Sequence, residues 1–181
     1  MNKRIETKRL ILRSPKASDA EPMFSNWAND PEVTKYLTWN SHESVEVTKM
    51  IVSRWLQEEE DPKTVRFLIT VKGNDDPVGS IDVVGYHDGD PEIGYCLSRK
   101  LWGQGYMTEA CQAVVAYLFA LGHKRILIDA AEENVGSNRV IAKCGFRFVG
   151  KERKEHTSAF KEAPVTLNHY EILRPDADGK R

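Results

Sequence analysis

The sequence predicts an α/β (α+β) fold: a mixed, mostly antiparallel sheet with helices on both faces. Three observations carry this. Strand-like runs follow one another between turn signals, as hairpins require. One long segment, residues 103–121, sets Ala110, Val114, Tyr117, Leu118 and Leu121 at helical spacing. After it, Ile126-Leu127-Ile128 is an unbroken apolar run, the pattern of a strand covered on both faces.

The elements follow in order. Residues 4–13 read as a first strand, with Leu10-Ile11-Leu12 apolar and Pro15 stopping the run. Ser18-Asp19-Ala20-Glu21 is a capping-box spelling and predicts a short helix carrying Phe24 and Trp27. Asn29-Asp30-Pro31-Glu32 is a turn signal, and a short segment with Val33, Tyr36 and Leu37 comes next. Ser41 is placed to cap a longer helix reaching to about Glu60, with Val47, Ile51, Val52, Trp55 and Leu56 on its apolar side. Strands are expected at 64–71, 77–86 and 92–98, divided by Asn74-Asp75-Asp76-Pro77 and His87-Asp88-Gly89-Asp90. Gly122 ends the long helix and residues 125–131 form the next strand. A helix over 135–144 stops at Gly145, and 146–154 and 165–174 are the last strands.

A chain of 181 residues is about one domain and can bury a substantial core. Lys plus Arg is 26 and Asp plus Glu is 27, a net charge of -1. That balance argues against a dedicated nucleic-acid surface and against a polybasic membrane binder. No uninterrupted apolar window is long enough to span a bilayer, and no apolar run follows the basic start as in a signal peptide. Cys96, Cys111 and Cys144 are widely spaced, with no Cys-x-x-Cys. No disulfide framework and no metal site are expected, and a reducing cytoplasm is the simplest location.

The chemistry-bearing stretch is Tyr95-Cys96-Leu97-Ser98-Arg99-Lys100-Leu101-Trp102-Gly103-Gln104-Gly105-Tyr106-Met107-Thr108-Glu109-Ala110. A strand ends, a loop with two glycines follows, and the long helix begins. Unpaired N–H groups and the positive dipole end make such a helix start a cradle for phosphate oxygens. An ordinary strand-to-helix turn has the same spelling. A P-loop is absent, because no Gly-Lys-Ser/Thr follows. A dinucleotide fingerprint would want Gly or Ala where Thr108 stands; Asp129 could then end the next strand as its acidic residue. Downstream, Asn134 and Ser137 share the first turn of a short helix, where Asn134 suits an N-cap.

The sequence resembles the GNAT superfamily of acetyltransferases, in the subgroup that includes ribosomal-protein (serine/alanine) N-acetyltransferases. The marks are Glu6-Thr7-Lys8-Arg9-Leu10-Ile11-Leu12-Arg13, Asn29-Asp30-Pro31-Glu32-Val33, Val78-Gly79-Ser80-Ile81 and Glu92-Ile93-Gly94-Tyr95-Cys96-Leu97. They continue with the glycine loop through Ala110 and with residues 134–146, in family order over nearly the whole chain. The resemblance implies a twisted sheet of about six to seven strands with one splayed pair. It implies a single acetyltransferase domain over 1–174 and a flexible tail at 175–181. It also implies acetyl-CoA as co-substrate, without a metal. The acceptor would be a primary amine, either a protein N-terminus or a small molecule, and the chain a monomer or homodimer.

Site residues follow from the same resemblance. The pyrophosphate would lie on Trp102, Gly103, Gln104, Gly105, Tyr106, Met107 and Thr108, with Arg99, Lys100, Arg139 and Lys143 nearby. The pantetheine would pair with Cys96, Leu97 and Ser98 like an added strand. A backbone N–H near Leu97 would hold the thioester oxygen. Asn134 would meet the pantetheine arm and Ser137 the sulfur. Many relatives carry a tyrosine acid where this chain has Ile141, so Ser137 is the expected substitute. Glu92 is the candidate base. Cys96 is expected to be a small buried side chain rather than an acetylated nucleophile. Trp27, Asn29, Asp30, Tyr36 and Trp39 are candidate linings of the acceptor pocket. A non-catalytic CoA-binding sensor and a nicotinamide dehydrogenase are the competing readings.

Overall fold

The computed structural model describes residues 3–155 and 163–175. Among the described residues, eight strands form one sheet in the order β1-β2-β3-β4-β5-β6-β8-β7. They are β1 (Arg4–Glu6), β2 (Leu10–Arg13), β3 (Arg66–Val71), β4 (Pro77–His87), β5 (Asp90–Leu97), β6 (Arg125–Ala131), β7 (Arg147–Lys154) and β8 (Val165–Leu173). Among the described strands every pairing is antiparallel except β5 with β6. The helices are α1 (Ala20–Met23), α2 (Pro31–Thr34), α3 (Val45–Glu58), α4 (Tyr106–Ala120) and α5 (Val135–Lys143). The expected mixed fold is therefore present.

Several boundaries differ from the sequence reading. The expected count of six to seven strands is eight, because residues 4–13 are not one strand but the hairpin β1–β2. Its turn is closed by Thr7 N–H donating to Leu10 O at 3.0 Å, without a glycine or proline to signal it. Ser18 does not cap: Asp19 Oδ2 accepts from the Lys16 N–H at 2.6 Å, and α1 then widens into a π-helical turn over Phe24–Ala28. Ser44, not Ser41, caps α3. Asp30 caps α2, so the turn signal there opens a helix. The long helix starts at Tyr106, leaving Gly103 in the loop. The tail at 175–181, apart from Pro175, lies outside the described residues.

Strand alternation sends side chains to two cores. Leu10, Leu12, Phe67, Ile69, Ile81, Ile93, Ile126 and Ile128 pack on one face against Ala110, Cys111, Val114 and Leu118 of α4 and Ile141 of α5. The other face holds Leu68 and Cys96 against Met23, Trp27, Ala28, Val33 and Val52. Trp27 has no exposed surface, so it is core and not pocket lining. The helices of this second layer lie over the β2–β5 half of the sheet. Arg13, 5% exposed, forks onto Asp19 at 2.7 and 2.9 Å and reaches Asp75 at 2.8 Å, tying β2 to the start of α1.

β4 and β5 approach closely at Gly79, opposite Leu97. A Cβ there would lie 2.4 Å from the Cys96 carbonyl oxygen. Backbone cannot move aside as a flexible side chain can. Gly79→Ala should therefore cost about 1–3 kcal/mol, read as a lower urea midpoint at unchanged slope. Gly85→Ala, whose added atom meets nothing within 4 Å, is the control and should move the midpoint far less.

Candidate active site

The site begins with a gap in backbone pairing. β5 and β6 meet in register at Glu92 and Leu127 alone. Beyond that pair the strands diverge, and the ends of β5 and β6 form two lips. Ser98 N–H donates to Val78 O of β4 at 2.7 Å. By alternation, the N–H groups of Tyr95 and Leu97 face away from β4 and into the opening. Two carbonyls at the lips are taken by side chains. Trp102 Nε1 donates to Leu97 O at 2.8 Å, and Asn138 Nδ2 donates to Ala131 O at 2.9 Å. The arrangement leaves donors for an incoming strand-like ligand.

The glycine loop stands at the mouth of this opening. Gly103 and Gly105 have φ of 72° and 80°, which an L side chain reaches only with strain. Their turn lets α4 start abruptly, with its first helical bond from Glu109 N–H to Gly105 O at 3.1 Å. The N–H groups of Tyr106, Met107 and Thr108 precede that bond and are open to an anion. The loop is anchored from afar. Glu109 accepts from Thr7 Oγ1 at 2.6 Å and from the N–H and Nε of Arg9 at 2.7 and 2.6 Å. Arg9 also donates to Gln104 O at 3.0 Å and lies 4.1 Å from the Tyr106 ring centre.

Asn134 caps α5, its Oδ1 accepting from the Ser137 N–H at 3.1 Å. The capping role expected from spacing is present, and the amide Nδ2 is the end left for a ligand. Ser137 Oγ stands 3.0 Å from the Tyr95 hydroxyl, which comes from the opposite lip. Cys96 points the other way, into the α1–α3 layer, with Sγ 3.5 Å from Ser80 Oγ. Burial pushes its thiol up to about 11, so it holds almost no thiolate at neutral pH. Glu92 shares the Cys96 side of the strand. It sits about 10 Å along β5 from Tyr95 and about 16 Å from Leu97, where the strands are still paired. Its Oε2 lies 2.5 Å from His87 Nε2. The structure thus brings Ser137, Tyr95, Leu97 and the glycine loop together and sets Glu92 apart, on the other face.

The remaining candidates divide. Arg99 pairs with Asp30 at 3.1 Å, so both are engaged with each other. Lys100, Arg139 and Lys143 are exposed, and Lys143 is next to Cys144, whose Sγ reaches Thr108 O in the first turn of α4. Tyr36 lines a recess of about 130 Å³ with Ala131, Glu132, Arg153, Val165 and Thr166, at the end of β6. Trp39 packs on the second core and Asn29 is exposed. Asp129 is no ribose ligand. It pairs with His169 at 2.7 Å in a mostly antiparallel sheet, which removes the dinucleotide reading. Sequence reasoning missed Tyr95 and Arg9 as site-forming residues. Both stand within the quoted motifs, but contacts over 42 and 100 residues leave no local spacing to read.

Comparison with known proteins adds a family. A family model described as Acetyltransferase (GNAT) domain matches residues 9–147. The chain is 32% identical to Uncharacterized N-acetyltransferase YoaA of Bacillus subtilis (strain 168), over 94% of this chain and 97% of that one. An acetyl transferase structure from Salmonella typhimurium, described as modifying the N-terminal serine of the 50S subunit protein L7/L12, superposes with a TM-score of 0.81 at 20% identity. It covers 96% of this chain and 100% of its own. Microcin C7 self immunity acetyltransferase MccE, in complex with acetyl-CoA and AMP, superposes with a TM-score of 0.79 at 18% identity, over 93% and 94% of the two chains. At those identities the two structures show a shared fold.

Burial raises the pKa of Glu109, but the hydrogen bonds from Thr7 and Arg9 and the Arg9 charge outweigh it and hold the carboxyl below its usual value. A depressed carboxyl contributes stability that is present above its unfolded pKa and lost as pH falls through the folded one. Glu109→Gln should therefore melt below the unaltered protein at pH 7. The gap in melting temperature should shrink as pH falls from about 5 to about 3. A gap that stays constant over that interval would count against the anchor.

Proposed function

The chain belongs to the GNAT acetyltransferase family, and from that premise we propose that it moves an acetyl group from acetyl-CoA to a primary amine by direct attack in a ternary complex. The observation that carries this is the opening between β5 and β6, with the Leu97 N–H facing it, Ser137 across it and the α4 N-terminus at its mouth.

Acetyl-CoA supplies the acetyl group as a thioester, already a fair leaving group because a thiol ionises at about 8.5. The residues present fit it. The N–H groups of residues 103–108 receive the pyrophosphate, with Lys143 beside them, while the Trp102 N–H is held by Arg99 O at 3.2 Å. Leu97, with Tyr95 before it, offers backbone N–H to the pantetheine, whereas the expected Cys96 and Ser98 turn their backbone groups to β4, and Asn134 Nδ2 meets the same arm. The Leu97 N–H, with that of Tyr95 beside it, polarises the thioester carbonyl. Ser137 donates a hydrogen bond to the departing thiolate. Glu92 receives the amine proton through water, and the hydrogen bond to exposed His87 links it to solvent. The buried Cys96 thiol takes no covalent part.

The acceptor is an N-terminal α-amine or a small amine. An α-amine, with a pKa of about 7.7–8.0, is roughly one-tenth neutral at pH 7, whereas a lysine amine is neutral at about 0.04%. A base as remote as Glu92 suits the first better than the second. The recess beside Tyr36 is where a peptide end would enter. A single acetyltransferase domain over 1–174, working in the cytoplasm, completes the reading.

Acetyl-CoA at about 100 times its Kd should stabilise the fold by about 2.7 kcal/mol, seen as a rise in melting temperature that NAD does not produce. Thiol release should follow with an amine and N-terminal peptide panel. Ser137→Ala should lower kcat about tenfold to a hundredfold, with little change in KM for acetyl-CoA. No shift with acetyl-CoA would sink the assignment. A shift without thiol release on any acceptor would mark a CoA-binding sensor instead.

A further inference from the structure

We propose that Tyr95 is a positioning residue for Ser137: its phenol donates to Ser137 Oγ and so turns the serine proton into the opening, towards the leaving sulfur. This rests on the acetyl-transfer reading above.

The geometry is specific. Tyr95 lies on β5 and its side chain packs with the core under α4, the same side as Ile93 and Leu97. Ser137 lies on α5, which follows β6. Their contact therefore crosses the opening from one lip to the other, at 3.0 Å between oxygens, with the Ser137 carbonyl at 3.3 Å as a second acceptor. The Ser137 N–H is already committed to the Asn134 cap. What remains free is the rotation of one hydroxyl. Left without a fixed partner, that hydroxyl would turn among several orientations, only some of which aim its proton into the opening. A donor on Oγ takes one of its two lone pairs and leaves the serine proton directed away from the phenol, on the side of the opening.

The phenol is suited to donate. Burial drives its pKa well above the ordinary 10 and outweighs the lowering by the Ser137 bond, so it stays protonated at any working pH. It gives up no proton in the reaction. The thiolate leaves stabilised by the Ser137 hydrogen bond and is protonated by solvent. Two hydroxyls in series also polarise one another, so the outer one donates more strongly than it would alone.

A double-mutant cycle on the full chain tests this, with kcat and KM for acetyl-CoA measured on an amine that the unaltered protein acetylates. Tyr95→Phe should lower kcat about fivefold to tenfold, with KM and the acetyl-CoA thermal shift little changed. In the Ser137→Ala background the same change should cost less than about twofold. An equal loss in both backgrounds, or a loss confined to KM, overturns the proposal. Site-specific 3-fluorotyrosine at position 95 keeps the ring and the donor, so it guards against a folding defect in the Phe variant. It should retain the unaltered kcat, and a loss as large as that of Phe overturns the proposal. If the unaltered protein releases no thiol on any acceptor, the acetyl-transfer reading fails and this proposal with it. If it turns over and the cycle is additive, only the Tyr95 assignment fails.

Discussion

The structure turns on one incomplete backbone ladder. A sheet gains its cohesion by pairing every N–H and C=O with a neighbour, and an unpaired buried group costs roughly 1–3 kcal/mol. Between β5 and β6 the ladder is made at a single register point and then abandoned. Two of the acceptors exposed by that divergence, Leu97 O and Ala131 O, are covered by an indole and an asparagine amide. The donors are not. The N–H groups of Tyr95 and Leu97 thus stay in the opening, where a carbonyl-bearing ligand would meet them.

The rest of the fold keeps those lips in place. On one side, five antiparallel strands and the Arg13 fork with Asp19 make a rigid half-sheet under α1 and α3. On the other, β6, β8 and β7 carry α5. α4 packs across the core from β2 to β6 and is the common wall. Its N-terminus is fastened by Glu109 to the β1–β2 turn. The segment with open backbone N–H groups is therefore bound to the far edge of the sheet. A network of Asn168, Asn138 and Tyr170 does the same for the start of α5, with Tyr170 Oη 2.5 Å from Asn138 Oδ1.

Much of this was legible beforehand, for identifiable reasons. The strand at Arg125–Ala131 and the long helix stood out because an unbroken aliphatic run and a 3.6-residue period are signals carried by neighbouring residues. Asn134 and Gly103-x-Gly105 were readable because a helix start has a local grammar. The β1–β2 hairpin was hidden because Thr7-Lys8-Arg9 contains no turn residue. Ser41 and Ser44 were equivalent by spelling, and only the chain path chose between them. The hydroxyl of Tyr95 against Ser137, the hold of Arg9 on Glu109 and the pairing of His87 with Glu92 are tertiary facts. Each joins residues that are ordinary in their own segment. Resemblance to a family located Ser137, but it was the fold that supplied the tyrosine beside it.

The two faces of the sheet beside the opening carry different groups, with Ser137 and Tyr95 on the α4–α5 face and Glu92, Asp129 and His169 on the other. Two molecules that reach a single point through opposite doorways do not stand in each other's way. Under the proposed acetyl transfer, the bulky nucleotide carrier and the amine would arrive and depart from opposite faces, in either order, with no need for one to wait on the other. It also separates what evolution can alter. A face that meets the acceptor could then be remodelled for new amines while the one that meets a carrier common to many reactions is left untouched.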